Sequence, residues 1–139
     1  MHIAIINGPN LNLLGTREPE VYGATTFENY FNELKNKFPH LKLTYFQSNV
    51  EGELINQVQK MGIESDGIIL NAAAYTHTSV GLGDAIAAID TPVVEVHISN
   101  IYAREEYRHH SFLTGKSVGV ISGLGLKSYE LAVNYLVTK

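Results

Sequence analysis

Glu95 and His97 stand two residues apart in the apolar run Val93-Val94-Glu95-Val96-His97. On an extended strand alternate side chains share a face, so the carboxylate can fix the imidazole tautomer and raise its basicity. His97 is therefore the leading general acid. Taken alone, the pair also fits a strand-end histidine that is only a satisfied polar group. Other polar residues follow other apolar runs: Asn10 after residues 3–7, Asn71 and His77 at and after the end of 67–71, Ser99 and Arg108 after 93–97. Together His77, His97, Glu95, Arg108, Asn10, Asn71 and Ser99 suit the binding of a polyhydroxylated, anionic small molecule and the movement of protons on it.

A second group lies in the segment 8–23, which carries Arg17 and Tyr22 near its far end. A strand-to-helix connection in a compact α/β unit usually takes ~2–6 residues. A loop more than twice that long points to function. A phenol ionises near pH ~10, and bringing it to neutrality requires about 4 kcal/mol of preferential phenolate stabilisation. One close guanidinium, shielded from water, supplies much of that. Taken alone, Arg17 and Tyr22 also fit a solvated arginine and an aromatic that anchors the loop. Set beside the strand-four residues, the loop reads as a lid over about residues 8–24, with Gly8, Gly15 and Gly23 giving it freedom to move.

The chain excludes several chemistries. It has no cysteine, hence no disulfide, thiolate nucleophile or thiolate metal site. It lacks a Gly-x-x-x-x-Gly-Lys-Ser/Thr phosphate loop, and no Gly-x-Gly-x-x-Gly follows the first run. The adjacent His109 and His110 point in different directions on a helical turn, so they make a poor metal pair. His2 and His40 read as surface residues. None of the seven lysines, 35, 37, 42, 60, 116, 127 and 139, falls in a strand-end cluster, which leaves covalent lysine catalysis without support. A net charge of -4 spread along the chain gives a nucleic-acid partner little electrostatic basis. The apolar runs fall short of the ~20 residues that span a bilayer, and the first strand starts without a basic leader. No membrane partner and a cytoplasmic location are expected.

The elements that must position these residues are legible as alternation. Short β-like runs occupy 3–7, 41–47, 67–71, 93–97 and 118–122. Between them, Thr26 caps a helix holding Phe27, Tyr30, Phe31, Leu34 and Phe38, ended by Pro39. Residues 51–61 place Leu54, Ile55, Val58 and Met61 on one face, with Gly62 as the stop. Further helices are expected at 79–89 and 127–138, with a helical turn around 103–107. The chain of 139 residues, 45% apolar and 17% charged, fits one domain over residues 1–139. The expected architecture is α/β, a flavodoxin-like doubly wound sheet of five parallel strands in the order 2-1-3-4-5. Ligands of such sheets bind beyond the carboxyl ends of the strands, where the polar clusters fall together.

At these residues the chain resembles the type II 3-dehydroquinate dehydratases. The resemblance rests on Gly8-Pro9-Asn10-Leu11-Asn12-Leu13-Leu14-Gly15 with Arg17-Glu18-Pro19 and Tyr22-Gly23. It continues in Ser48-Asn49-Val50-Glu51-Gly52-Glu53-Leu54, in Asn71 with Tyr75-Thr76-His77-Thr78-Ser79, and in Glu95-Val96-His97-Ile98-Ser99-Asn100 with Arg104-Glu105-Glu106. Long, ordered and correctly spaced, these motifs cover essentially the whole chain.

The resemblance implies dehydration of 3-dehydroquinate to 3-dehydroshikimate by trans elimination through an enolate, with no cofactor and no metal. Tyr22, as phenolate beside Arg17, would take the C2 proton. A water held through Asn10 would stabilise the enolate oxygen, and His97, oriented by Glu95, would protonate the departing C1 hydroxyl. Asn71 and the backbone at Ile98 and Ser99 would clamp the substrate carboxylate, while His77 and Arg108 hold ring hydroxyls. Asp84 is similar to a residue that reaches a neighbouring subunit's site, in a homo-oligomer that is a dodecamer of trimers. The pathway implied is shikimate synthesis or quinate breakdown. Two positions depart from the family pattern: Ala73 stands where a glycine is common, and Gly83 where many relatives carry arginine. A binding module that captures the same anion without chemistry would account for the polar rim, but not for a loop bearing both an arginine and a tyrosine.

Overall fold

Apolar runs covered on both faces become parallel strands when helices cross between them. The computed structural model, which describes residues 1–16 and 25–139, has this arrangement. Among the described residues the strands are β1 (His2–Asn7), β2 (Lys42–Gln47), β3 (Gly67–Asn71), β4 (Val93–His97) and β5 (Gly119–Ser122). They form one five-stranded parallel sheet in the order β2-β1-β3-β4-β5, the expected flavodoxin-like topology. The helices are α1 (Phe27–Lys37), α2 (Glu51–Glu64), α3 (Val80–Ala87) and α4 (Lys127–Thr138).

The alternation within each strand decides which helices cover which face. Ile3 and Ile5 of β1, with Ile69, Val94 and Val96, pack against Phe27 and Leu34 of α1 and Tyr129, Val133 and Leu136 of α4. Ala4 and Ile6, with Ile68, Leu70 and Val93, pack against Leu54, Val58 and Met61 of α2 and Leu82 and Ile86 of α3. At ~1.5–3 kcal/mol for each fully buried aliphatic or aromatic side chain, these two layers dominate the folding energy. Caps fix where two of the helices begin. The Thr26 hydroxyl accepts from the Asn29 N–H at 3.2 Å, and the Ser79 hydroxyl from the Leu82 N–H at 2.9 Å.

Several boundaries depart from expectation. Gly62 does not stop α2, which runs on to Glu64. Its glycine serves packing, because a Cβ there would sit 2.4 Å from Cγ2 of Ile89. β5 starts at Gly119 and β2 at Lys42, and α3 occupies Val80–Ala87, with Ser79 as its cap. The turn expected at 103–107 resolves into two short 3-10 turns, Ile101–Ala103 and Glu106–Arg108. His2 is only partly exposed: its ring nitrogens lie 2.8 Å from the Thr44 hydroxyl and 3.0 Å from the Glu64 carbonyl. Gly8 is no free hinge either. A Cβ at this position would come within 2.5 Å of the Ala72 carbonyl oxygen, so its glycine permits the close approach of two chain segments. Gly15, at φ 91°, does use the left-handed region; Gly23 lies outside the described residues.

The strand register is what gathers the polar residues. Asn7 pairs with both Gln47 and Asn71, Leu70 with Glu95, and His97 with Ser122, so the carboxyl ends of the strands form one rim. A buried phenol ties two of these ends together. The Tyr129 hydroxyl donates to Oδ1 of Asn7 and accepts from Nδ2 of Asn71, each at 2.8 Å. Burial pushes the Tyr129 pKa well up, so this phenol stays neutral and can serve both asparagines at once.

Two non-glycine residues at the rim have positive φ, Asn10 at 71° and Ala73 at 52°. Asparagine tolerates this region, whereas for alanine it costs ~1–2 kcal/mol. Glycine at this position would carry no such strain. Replacing Ala73→Gly removes it at the cost of a more flexible unfolded chain, for a net gain of roughly 0.5–1 kcal/mol. A thermal melt should therefore show a higher midpoint; a lower one would mean that contacts of the Ala73 methyl outweigh the strain.

Candidate active site

Above the carboxyl ends of β1, β3 and β4 lies an open cleft of about 780 Å³, continuous with solvent. Asn10, Asn71, His77, His97, Ile98, Ser99 and Arg108 all line it. Seven of the residues singled out from the sequence thus converge on one site. Glu95 lies behind His97, buried at 1% exposure and bonded to it. Asp84 does not line the cleft; it is exposed on α3. Arg17 and Tyr22 lie outside the described residues.

His97 and Glu95 project from the same face of β4, and Nε2 of His97 lies 2.5 Å from Oε2 of Glu95. A carboxylate only accepts, so Nε2 carries the proton and Nδ1 is the nitrogen left for a ligand. Burial opposes the ionisation of Glu95. Donors from His97, Thr114 and Ser111 outweigh it and hold the carboxyl below the usual carboxylate range. The site thus keeps a fixed negative charge behind the imidazole.

His77 stacks near His97, with ring centroids 6.1 Å apart and planes 20° from parallel. Its Nδ1 lies 2.8 Å from the His110 carbonyl oxygen. A carbonyl cannot donate, so Nδ1 bears the hydrogen and Nε2 is an acceptor in the neutral ring. Burial lowers the His77 pKa; the His110 carbonyl and Glu95 counter it, and the charges of His97 and Arg108 add to it. The two imidazoles therefore differ in kind. His97 is backed by an anion and suited to giving a proton, whereas His77 stays neutral and suited to accepting a hydrogen bond from a hydroxyl.

Around the imidazoles stand cations and amides. Nε of Arg108 donates to Oε1 of Glu105 at 2.8 Å, and the Tyr107 hydroxyl donates to Oε2 at 2.6 Å. The Tyr107 hydroxyl, the residue's own backbone and Arg108 bring the Glu105 pKa down to about 2. This bond holds the Arg108 guanidinium in place at the cleft edge. Asn71 donates to Tyr129 and accepts from the Ala73 N–H at 3.2 Å, which fixes the plane of its amide at the cleft wall. On the opposite wall, the Asn10 backbone N–H donates to Oδ1 of Asn49 at 2.9 Å, and Gln47 donates to the Gly8 carbonyl at 3.1 Å. Leu11 and Leu14 bury themselves in the core just beyond, anchoring this end of the segment.

Sequence reasoning missed some contributors. Arg104 lines the cleft and donates from Nη1 to the Ser99 hydroxyl at 3.3 Å. It belonged to a quoted motif, and its seven-residue distance from His97 was the available signal. Ser111, Thr114 and Tyr129, which hold Glu95 and the two asparagines, carry no local signal of that role. Gly83 has a physical reason, since a Cβ there would lie 2.5 Å from the Phe112 carbonyl oxygen. No lysine lines the cleft, and among the described residues no three histidine, aspartate or glutamate side chains come together to hold a metal ion. Among the same residues no helix is long and apolar enough to cross a membrane.

With this geometry in hand, similarity to known proteins narrows the chemistry. Residues 1–137 match the family model for class II dehydroquinase. The chain is 53% identical over 136 residues to a 3-dehydroquinate dehydratase of Dinoroseobacter shibae, covering 96% of this chain and 91% of that protein. Its backbone is similar to the crystal structure of type II dehydroquinase from Propionibacterium acnes, with a TM-score of 0.94 and 38% identity over 99% of this chain and 97% of the other. It is also similar to the type II dehydroquinase from Butyrivibrio crossotus, at a TM-score of 0.93 and 42% identity over 99% and 98% of the two chains. The strand-end cleft thus lies in a chain that belongs to the class II dehydroquinase family.

Proposed function

We propose that the chain dehydrates 3-dehydroquinate to 3-dehydroshikimate, by trans elimination through an enolate. The observation that carries this reading is the buried Glu95–His97 pair, whose open Nδ1 belongs to a cleft that also holds Arg104 and Arg108. It fits a reaction in which a poor leaving group, hydroxide, must be protonated while an anionic substrate is held still.

In the first step a base removes a proton from C2, next to the C3 ketone. The electron pair of the C–H bond moves into the C2–C3 bond and the carbonyl pair onto oxygen, giving the enolate. Tyr22, ionised beside Arg17, is the proposed base, and a water held by Asn10 is the proposed donor to the enolate oxygen. In the second step the enolate collapses, the C1–C2 double bond forms, and the C1–O bond breaks. His97, oriented by Glu95, gives the proton from Nδ1 so that water departs. No lysine adduct is required.

Binding follows the same geometry. The Asn71 amide, with the backbone at Ile98 and Ser99, is the proposed clamp for the carboxylate, and the neutral Nε2 of His77 and the Arg108 guanidinium are the proposed partners of ring hydroxyls. Asp84 lies on the exposed side of α3, away from its own cleft, as a residue that serves a neighbouring subunit would. A dodecamer of trimers is the assembly we propose. A cytoplasmic enzyme of the shikimate pathway is the accompanying reading.

The primary experiment mixes the protein with 3-dehydroquinate and follows ultraviolet absorbance of the conjugated enone. Absorbance should rise with turnover, and a flat trace would sink the assignment. Replacing Tyr22→Phe keeps the ring but removes the proton acceptor, so kcat should fall by ~100-fold or more with KM little changed. Loss of affinity with turnover retained would instead make Tyr22 an anchor. For His97→Ala the fault should lie in the second step. Exchange of the C2 hydrogen with solvent should then outlast net dehydration, whereas equal loss of both would argue against a separate enolate.

A further inference from the structure

Behind the imidazoles runs a short segment, residues 110–114, that touches His77 directly and reaches His97 through Glu95. The His110 carbonyl accepts from Nδ1 of His77. Four residues on, the Thr114 hydroxyl donates to Oε1 of Glu95 at 2.6 Å. Between them, Oγ of Ser111 lies 3.2 and 3.3 Å from the two Glu95 carboxylate oxygens. That same Oγ accepts from the backbone N–H groups of Leu113 at 2.9 Å and Thr114 at 3.1 Å. With both lone pairs occupied, the Ser111 hydroxyl can only point its hydrogen at Glu95.

The segment is itself pinned. Leu113 is fully buried in the core beneath α2 and α3. The Phe112 N–H donates to the Thr76 carbonyl at 3.0 Å, and the bare Cα of Gly83 lets the Phe112 carbonyl lie directly against α3. A Cβ at position 83 would come within 2.5 Å of the Phe112 carbonyl oxygen, so any side chain there requires the helix or the segment to shift.

We infer that residues 110–114 form the positioning element of the site, with Thr114 and Ser111 as positioning residues that act on His97 through Glu95. The inference rests on the reading of His97 as the proton donor. The two hydroxyls hold the carboxylate in one rotamer, in line with Nε2 of His97, so that Nδ1 always faces the cleft. Without them the carboxylate keeps a single strong partner and can rotate, and the imidazole turns with it. In the same stroke the His110 carbonyl fixes the opposite tautomer in His77. One strap thus sets one ring to donate and its neighbour to accept.

Thr114 is exposed at the start of a 3-10 turn, so its replacement leaves the core intact. Thr114→Val keeps the shape and removes the hydroxyl. A hydrogen bond to a charged group corresponds to about tenfold in rate, so kcat should fall about tenfold while KM stays within about twofold. Thr114→Ser restores the donor and should recover most of the loss; Ser111→Ala should fall on the same side as Thr114→Val. A risen KM with kcat kept, or a serine variant as slow as the valine one, would overturn the inference.

A second measurement does not depend on turnover. Acylation of His97 by diethyl pyrocarbonate, followed by mass spectrometry of the peptide that contains it, should be several-fold slower in Thr114→Val and return in Thr114→Ser. Equal rates in all three proteins would overturn the positioning role even in an active enzyme. Altered rates in a protein inert towards 3-dehydroquinate would uphold that role and overturn the assigned reaction alone.

Discussion

A carboxylate at 1% exposure constrains everything around it. Removing a charge from water costs several kcal/mol unless hydrogen bonds replace the lost hydration. Glu95 meets that requirement with donors from His97, Thr114 and Ser111, and the requirement reaches far into the chain. β4 must present Glu95 and His97 on one face. The segment after residue 110 must come back under that face, Leu113 must be buried to hold it there, and α3 must lack a side chain at Gly83 to let it pass. Because the anion is fixed before any ligand arrives, the orientation of the His97 ring is set by folding and not by binding.

Two histidines with stacked rings would repel one another if both were protonated. Their backbone and side-chain partners prevent this by different means. His97 has an anion behind it, whereas at His77 burial and a nearby guanidinium outweigh the carbonyl partner and keep the ring neutral. The result is a pair of rings of unlike function within 6.1 Å, which suits a substrate carrying several hydroxyls, only one of which is to leave. Arg108 is tied to Glu105 and Arg104 touches Ser99, so the cationic side of the cleft is also held by hydrogen bonds.

The parallel sheet was legible because it follows from alternation, with the flavodoxin-like order as its simplest winding, and the rim followed from the rule that ligands bind at the carboxyl ends of strands. The Glu95–His97 contact was equally legible, since period-two geometry puts both on one face. Gly62 misled for a physical reason: glycine ends helices through its backbone freedom, but here it is used for its lack of a side chain against Ile89. Gly8 repeats the lesson against Ala72. Arg104 sat within a readable motif, yet only the path of the chain after β4 turns it into the cleft. Ser111, Thr114 and Tyr129 were invisible because their roles depend on contacts 16 to 122 residues distant, for which no local pattern exists.

Strain and rigidity meet at the same rim. Asn10 and Ala73, both at positive φ, flank the cleft from the loops after β1 and β3, where the backbone must bend sharply away from the strand ends. Such conformations persist only where the surroundings over-determine them. Here the surroundings are the Asn49 bond to the Asn10 N–H, the Asn71 bond to the Ala73 N–H, and Tyr129 clamping Asn7 to Asn71 beneath both. Leu11 and Leu14 add burial to the first of these loops. Most of the binding wall is therefore assembled by folding itself. A site of this kind spends little of its binding energy on ordering its own walls, which leaves that energy for aligning the substrate with the imidazole.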